Sequence, residues 1–486
     1  MCWVLLARLR IMNRTEIAEP VFAPARTQHP WAAVTVLLVG VFMAVLDTFI
    51  VLVAAPEIQQ DLAASDAEVQ LVFAAYQLAY AAALITCARL GDLVGRKTLF
   101  LAGLLVFTAS SAACALAPAP ASLIVARFVQ GLGAAALFPQ VLATITVVVP
   151  PESRAKAFGA LGAVIGLSGV AGQLIGGVLV QANLFDSPWR SIFWINVPVG
   201  VLAVAAAVAF VPRTRAAEAR GVDPVGAAIL ATSLCLLVLP LIQGRQSGWP
   251  LVTWISMAAG IVGMAVFARF ERAMVRRGSD PLVRISLFAV RPFAIGMALI
   301  LLAYSGINSF FLVLSVTTQQ GLGMTALGTA TVYLPFGAAF FATSIVAGRL
   351  RSATDAMLLA GALLGGIGYA GIIAEVAMFG DRTSGWALAA PLTVVGVGSG
   401  LLVPSLLHAV LSRVAADDAG MASGVLATGQ QIGGAVGVAV IGAVYYACAE
   451  SHSPVTALAW ANGVNLVLAL VIAMLLRKLG TIGAGE

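Results

Sequence analysis

Beyond residue 30 the chain alternates long apolar runs with short polar segments, almost to its end. A helix needs roughly 20 apolar residues to cross a bilayer, so each run predicts a transmembrane helix. Fourteen spans are delimited. The first six are Trp31 to Ala54, Val69 to Ala88, Thr98 to Ala117, Leu123 to Val149, Ala157 to Val180 and Ser191 to Val211. A middle pair, Asp223 to Gln243 and Leu251 to Phe270, precedes the longest polar stretch, Glu271 to Arg291. The last six are Phe293 to Thr318, Thr325 to Gly348, Ala356 to Phe379, Trp386 to Val414, Met421 to Ala447 and Val455 to Leu476.

The spans repeat. Gly133 and Gly398, Pro139 and Pro404, Gly159 and Gly424, and Gly172 and Gly437 are all 265 positions apart. His29-Pro30-Trp31 and Arg291-Pro292-Phe293 open spans 1 and 9 at an offset of 262. Two parallel six-helix repeats are therefore expected, at 31–212 and 291–477, with spans 7 and 8 inserted between them at 222–271 and a short segment, 1–30, in front. The fold class is all-α integral membrane. Repeats of this kind place a substrate site at their interface, near the bilayer midplane.

Composition agrees: 61% of the 486 residues are hydrophobic and 10% charged, where soluble domains run about 45–50% and about 25%. A soluble protein is excluded, and the lipid bilayer is the first partner. A net charge of +6 would otherwise suggest nucleic acid. Its distribution argues against that. Assigning loops to alternate sides puts Arg89, Arg96, Lys97, Arg154, Lys156, Arg213, Arg215, Arg269, Arg272, Arg276, Arg277, Arg284, Arg291, Arg349, Arg477 and Lys478 on one side, with Arg8, Arg10, Arg14, Arg26, Arg220, Arg351 and Arg413. The other side has Arg190, Arg245 and Arg382, and Arg127 lies inside a span. Short cytoplasmic loops are enriched in Lys and Arg, so both termini are expected in the cytoplasm of a bacterial plasma membrane. The five cysteines show no C-x-x-C spacing and indicate neither disulfides nor a metal site. Trp3 to Leu6 is too short for the core of a signal peptide, and Met12 is a second candidate start.

Asp47 lies well inside span 1. A carboxylate there costs about 2.5–3.5 kcal/mol on insertion scales, so it should face a cavity or a partner. An acid so placed is suited to carrying a proton reversibly. The plainer alternative is an interfacial acid that snorkels or caps. The repeat counterpart of Asp47 is Ser309, beside Asn308, so the acid belongs to one half only. Arg127, in span 4, is too costly to leave unpaired, and Asp47 is the obvious carboxylate if spans 1 and 4 adjoin. Protonating Asp47 would then weaken the pair and bias a two-state element. A static pair, or an arginine reaching the cytoplasmic side, is the alternative.

The loop Arg89-Leu90-Gly91-Asp92-Leu93-Val94-Gly95-Arg96-Lys97 reads as a tight turn in which Asp92 finds basic partners and can latch the halves. Span 5 carries Gly159, Gly162, Gly166, Gly169, Gly172, Gly176 and Gly177 at spacings of three and four, and span 13 carries Gly429, Gly433 and Gly437. Such faces let helices approach closely, as a packing surface or a gating seam. Tyr76, Gln77, Tyr80, Asn196, Asn308, Phe311, Tyr333 and Phe336 are candidates for an amphipathic cavity, each with helix packing or lipid contact as the alternative.

These segments together resemble the major facilitator superfamily. Arg89 to Lys97 is similar to its loop signature and Arg127 to Gly133 to its span 4 motif. Leu46 to Pro56 and Trp189 to Pro198 resemble motifs of its fourteen-helix drug:proton antiporters. The resemblance implies a major facilitator fold, proton coupling through Asp47 and Arg127, and a cytoplasmic gate at Gly91, Asp92, Gly95, Arg96 and Lys97. It also implies an antiporter-like motif at Gly169, Gly172, Gln173, Gly176 and Gly177. The chain departs from the pattern at Ala88, Leu93 and Leu52, and most at Gln173, where the antiporters have a kinking proline. The implied function is export of small amphipathic compounds such as antibiotics, driven by the proton motive force without a cofactor or metal. The scarcity of acids in the cavity favours neutral or singly charged substrates. A monomer is compatible with this reading. An importer or uniporter on the same fold is the alternative, and a non-transporting receptor or scaffold the third. No H-E-x-x-H, G-x-S-x-G or P-loop at a plausible site suggests an enzyme.

Overall fold

The computed structural model describes residues 30–183, 188–215, 221–349, 354–411 and 419–483. Within them are fourteen helices long and apolar enough to cross a membrane. They are α1 (Pro30–Val53), α2 (Asp66–Val94), α3 (Arg96–Ala115), α4 (Pro120–Val148), α5 (Pro151–Ala182), α6 (Ser191–Phe210) and α7 (Pro224–Gln243). Then follow α8 (Leu251–Arg276), α9 (Arg291–Val316), α10 (Ala326–Gly348), α11 (Thr354–Phe379), α12 (Ala389–Leu411), α13 (Ala419–Ser451) and α14 (Pro454–Gly483). A short helix, Ala55–Asp61, follows α1. Arg8, Arg10, Arg14, Arg26, Arg220, Arg351 and Arg413 lie outside the described residues.

Helix starts follow local chemistry. Proline occupies the first turn of α4, α5 and α7, where its missing N–H costs nothing. Ser65 and Glu68 form a reciprocal capping box before α2: Ser65 N donates to Glu68 Oε2 at 2.8 Å, and Glu68 N to Ser65 Oγ at 3.3 Å. α2 overruns its expected end by six residues. Leu90 to Val94 are helical, and the expected loop shrinks to Gly95, whose φ of +100° suits glycine. Charged residues at helix ends sit at the interface without needing a loop, so hydropathy places such boundaries too early.

The two repeats pack by the same rules. α2 and α3 lie against α4 as α10 and α11 lie against α12, and α1 lies against α5 as α9 lies against α13. Repeat-related glycines mark the crossings. A Cβ at Gly133 would come 3.1 Å from Gly103 O on α3, and one at Gly398 2.7 Å from Gly361 O on α11. Gly172 has Leu46 O of α1 at 3.0 Å, and Gly437 would overlap the Ser305 backbone of α9. The halves meet through α5 on α10 and, equivalently, α2 on α13. α7 packs on both α2 and α13. α8 packs on α7 and leaves Leu251, Trp254, Ile255, Ile261 and Val262 exposed, an apolar face suited to lipid.

The two ends of the interface differ. At the end opposite the basic loops, one apolar core joins Ile50, Leu52 and Ile58 of the first half to Phe310, Leu314, Val316 and Tyr445 of the second. Gly177 on α5 is tight against Ala326 O and Leu327 of α10. Toward the basic end of the same seam, nothing lies within 4 Å of a Cβ at Gly159, Gly162 or Gly348. Polar bonds reinforce the closed end: Gln319 Nε2 donates to Val53 O at 2.9 Å and Gln320 Nε2 to Gln59 Oε1 at 3.0 Å. Arg245, in the turn between α7 and α8, pairs with Asp66 of α2 at 2.6 Å and with Glu450 of α13. One arginine of the insert thus ties the two repeats together. Arg245→Ala is expected to raise the fraction of molecules open at this end. Spin labels at Gln60 and Ser384 should report longer distances than in wild type, and an unchanged distribution would remove Arg245 from the latch.

Candidate transport site

The buried charge of α1 and that of α4 meet. Arg127 Nη1 donates to Asp47 Oδ2, and the two residues are 1% and 0% exposed. Asp47 Oδ1 accepts from Gln130 Nε2 and from Asn196 Nδ2, each at 2.9 Å. Asn196 Nδ2 also donates to Ser111 Oγ at 3.1 Å. Arg127 is held further by Gln130 Oε1 at 2.8 Å and, through Nε, by Val72 O at 3.2 Å. Its guanidinium lies 4.3 Å from the centre of the Tyr76 ring, and the Tyr76 hydroxyl donates to Ala44 O at 2.9 Å. Five helices, α1, α2, α3, α4 and α6, therefore fix one carboxylate and one guanidinium. Such an array meets the requirement that a buried pair have its remaining hydrogen-bonding capacity matched.

The pair borders the space between the halves. A cavity of about 10 Å³, room for about one water, is lined by Thr48, Leu52, Phe73, Tyr76, Gln77, Arg127, Asn308 and Val438. Arg127 is thus both the partner of Asp47 and part of the cavity wall. Gln77 Oε1 is buried there without a hydrogen-bond partner. Beside the cavity, Phe311 packs edge-on to Phe49 and Phe336, with ring centres at 5.3 and 5.2 Å, and Tyr333 lies 5.3 Å away.

Not every expected cavity residue is there. Asn196 is bonded to Asp47 instead, because α6 carries it into the interior of the first repeat. Tyr80 packs in the core of that repeat, 6.0 Å from Tyr76. Gln130 and Ser111 were not among the expected site residues. Gln130 was within reach of the sequence, since it lies three residues after Arg127 and so on the same helix face. Ser111 carries no such signal.

The α5 motif flanks the site. Gly169, Gly172 and Gly176 bring α5 against Phe49, Leu46 and Ile50 of α1, and Gly177 faces α10 across the interface. Gln173 is buried and donates through Nε2 to Phe49 O at 3.1 Å. α5 runs unbroken from Pro151 to Ala182, as expected where glutamine replaces proline. In the Arg89 to Lys97 segment, Asp92 pairs with Arg96 at 3.1 Å, Arg96 Nη1 donates to Ala143 O at 2.9 Å, and Lys97 Nζ to Val208 O at 2.7 Å. Gly91 lies so close to Gln140 of α4 that a Cβ would overlap it. In this conformation these bonds brace α2, α3, α4 and α6 of one repeat.

Comparison with known proteins agrees with this architecture. The chain is 36% identical over 427 residues to the "Probable actinorhodin transporter" of Streptomyces coelicolor, covering 87% of this chain and 74% of that protein. It is 34% identical to the tetracenomycin C resistance and export protein of Streptomyces glaucescens, covering 85% and 76%. It is 33% identical to the multidrug resistance protein Stp of Mycobacterium tuberculosis, covering 83% and 74%. The fold superposes on a POT family transporter crystallised with a thioalcohol-conjugated peptide, with a TM-score of 0.67 at 14% identity over 92% of this chain and 96% of that one. Residues 37–438 match the model of the Major Facilitator Superfamily, a stretch that holds the paired charges, the glycine crossings and the helices of both repeats as far as α13, and the chain belongs to that family.

Proposed function

We propose that the protein is a proton-coupled exporter of small amphipathic compounds that works by alternating access in a bacterial plasma membrane, with both termini cytoplasmic. The observation that carries this reading is the double position of Arg127, bonded to Asp47 on one side and forming part of the wall of the inter-repeat cavity on the other. A proton on Asp47 removes the charge opposite Arg127 and leaves a buried cation in need of another partner. A substrate carbonyl, hydroxyl or anionic group in the cavity can meet it, so proton and substrate act on the same side chain. Each proton moving inward gains about 2.3 kcal/mol per 100 mV, and every 1.4 kcal/mol supports about a tenfold gradient. One proton thus sustains a useful efflux ratio. The seam open at the basic end corresponds, with this orientation, to a state facing the cytoplasm, and the Gly91 to Lys97 segment serves as the gate that engages when that end closes.

The names of the relatives support antibiotics or similar compounds as substrates. The cavity wall favours neutral or singly charged aromatic ones, since it offers tyrosine, phenylalanine and amide groups and a cation but no free acid. Cells expressing the protein are expected to gain resistance to neutral planar compounds and none to dications, with reduced internal accumulation as the readout. Resistance to dications at matched expression would reject the substrate class. Higher accumulation than in empty-vector cells would replace export with import.

A further inference from the structure

Two carboxyl groups tie the inserted pair α7 and α8 to the rest of the molecule at the basic end. Asp223 caps α7, its Oδ1 accepting from Gly226 N at 2.9 Å. Glu271, near the end of α8, holds the connection to α9, its Oε2 accepting from Val283 N at 3.1 Å. The second oxygen of each, Asp223 Oδ2 and Glu271 Oε1, is buried without a hydrogen-bond partner. The residues are 3% and 0% exposed. A Cβ built at Gly226 would crowd both oxygens, so the two share one small space.

Two ionised carboxylates facing each other there would repel and leave two buried acceptors unmatched. One proton between them makes an O–H···O bond and leaves a single charge. The neighbouring charges do not supply the missing donor. Arg89 of α2 donates to the carbonyls of Gly221 at 3.1 Å, Asp280 at 3.3 Å, Leu282 at 3.4 Å, and Pro281. Asp280 Oδ2 accepts from Gly221 N at 3.3 Å. Arg272, Arg276 and Arg291 are exposed, and Arg284 follows Val283 in the connection. We propose that Asp223 and Glu271 form a second proton-binding site, separate from Asp47, which holds one proton from the aqueous phase at the basic end and so clamps the α8–α9 connection beneath α2. When the pH rises and that proton leaves to water, the carboxylates repel, the Glu271 bond to Val283 loosens, and Arg89 loses the ordered carbonyls it grips. The proposal does not rest on the substrate or the direction of transport.

Infrared titration of the full-length protein in lipid nanodiscs tests it. A carboxylic-acid C=O band is expected in Asp47→Asn at pH values where ordinary carboxyls are ionised, and it should vanish as the pH rises further. The band should be missing when either Asp223→Asn or Glu271→Gln is added. Each amide keeps one acceptor and offers an N–H to the remaining carboxylate, so both variants imitate the protonated pair. Hydrogen exchange of residues 278–284, corrected for intrinsic rates, should rise several-fold across the same pH interval in wild type and stay flat in Asp223→Asn. Carboxylate bands alone in Asp47→Asn overturn the proposal, as does a stoichiometric divalent cation bound in place of the acid band. If one variant fails to fold, the other and the Asp47→Asn titration still decide between these outcomes.

Discussion

Asp47→Asn is expected to abolish substrate-driven proton movement and to lower the stability of the folded protein by about 3–5 kcal/mol, the range for breaking one side of a buried ion pair. The amide keeps an acceptor for Gln130 and Asn196 but leaves the Arg127 charge unopposed in a site that is 1% exposed. Adding Arg127→Met removes that stranded charge while filling similar space beside Tyr76. The double variant should therefore recover much of the lost stability, measured by thermal unfolding in detergent, with no recovery of proton movement. This non-additivity separates the two roles of the pair. A double variant as unstable as the sum of the single ones would mean that Asp47 and Arg127 are not energetically coupled.

Two glycines ten positions apart on α5, Gly162 and Gly172, should behave in opposite ways. Gly172→Leu has no room, because Leu46 O and Ile50 N of α1 lie 3.0 and 3.2 Å from where its Cβ would stand. Overpacking typically costs about 1–3 kcal/mol, and backbone atoms cannot rotate away as side chains do. Loss of folded protein is expected. Gly162→Leu has nothing within 4 Å and should leave the fold and its thermal stability intact. Alternating access nevertheless requires the basic end of the α5–α10 seam to close, and a leucine there obstructs closure. Transport should fall at least tenfold while substrate binding persists. Full turnover by Gly162→Leu would show that this part of the seam does not close.

The sequence and the structure agree best where the physics is local. A run such as Trp31 to Ala54 has one stable state in a bilayer, so the fourteen spans were legible from hydropathy and the repeat from glycines at a fixed offset. Asp47 and Arg127 were legible because a charge inside a span needs a reason. Their meeting depended on α1 and α4 being neighbours, which the repeat architecture suggests but spacing does not contain. Asn196 could be read as polar and buried, yet whether it faced the cavity or Asp47 depends on the rotation of α6, which no periodicity in so apolar a helix reveals. Arg245, Asp66 and Glu450 come from a turn and two helices distant in sequence, so their convergence at the closed end exists only in the folded arrangement. The end of α2 was missed for the opposite reason: charged residues at the interface resemble a loop in hydropathy while remaining helical.

The most direct test of the coupling is to reconstitute the protein in liposomes, impose a proton gradient, and follow substrate and proton flux together. A neutral aromatic substrate should move against the proton current in wild type. Asp47→Asn should still bind the substrate and exchange it across the membrane but accumulate none and move no protons. Substrate accumulation driven by the gradient in Asp47→Asn would contradict the account, since the proton would then be carried elsewhere than on the carboxylate that Arg127 holds.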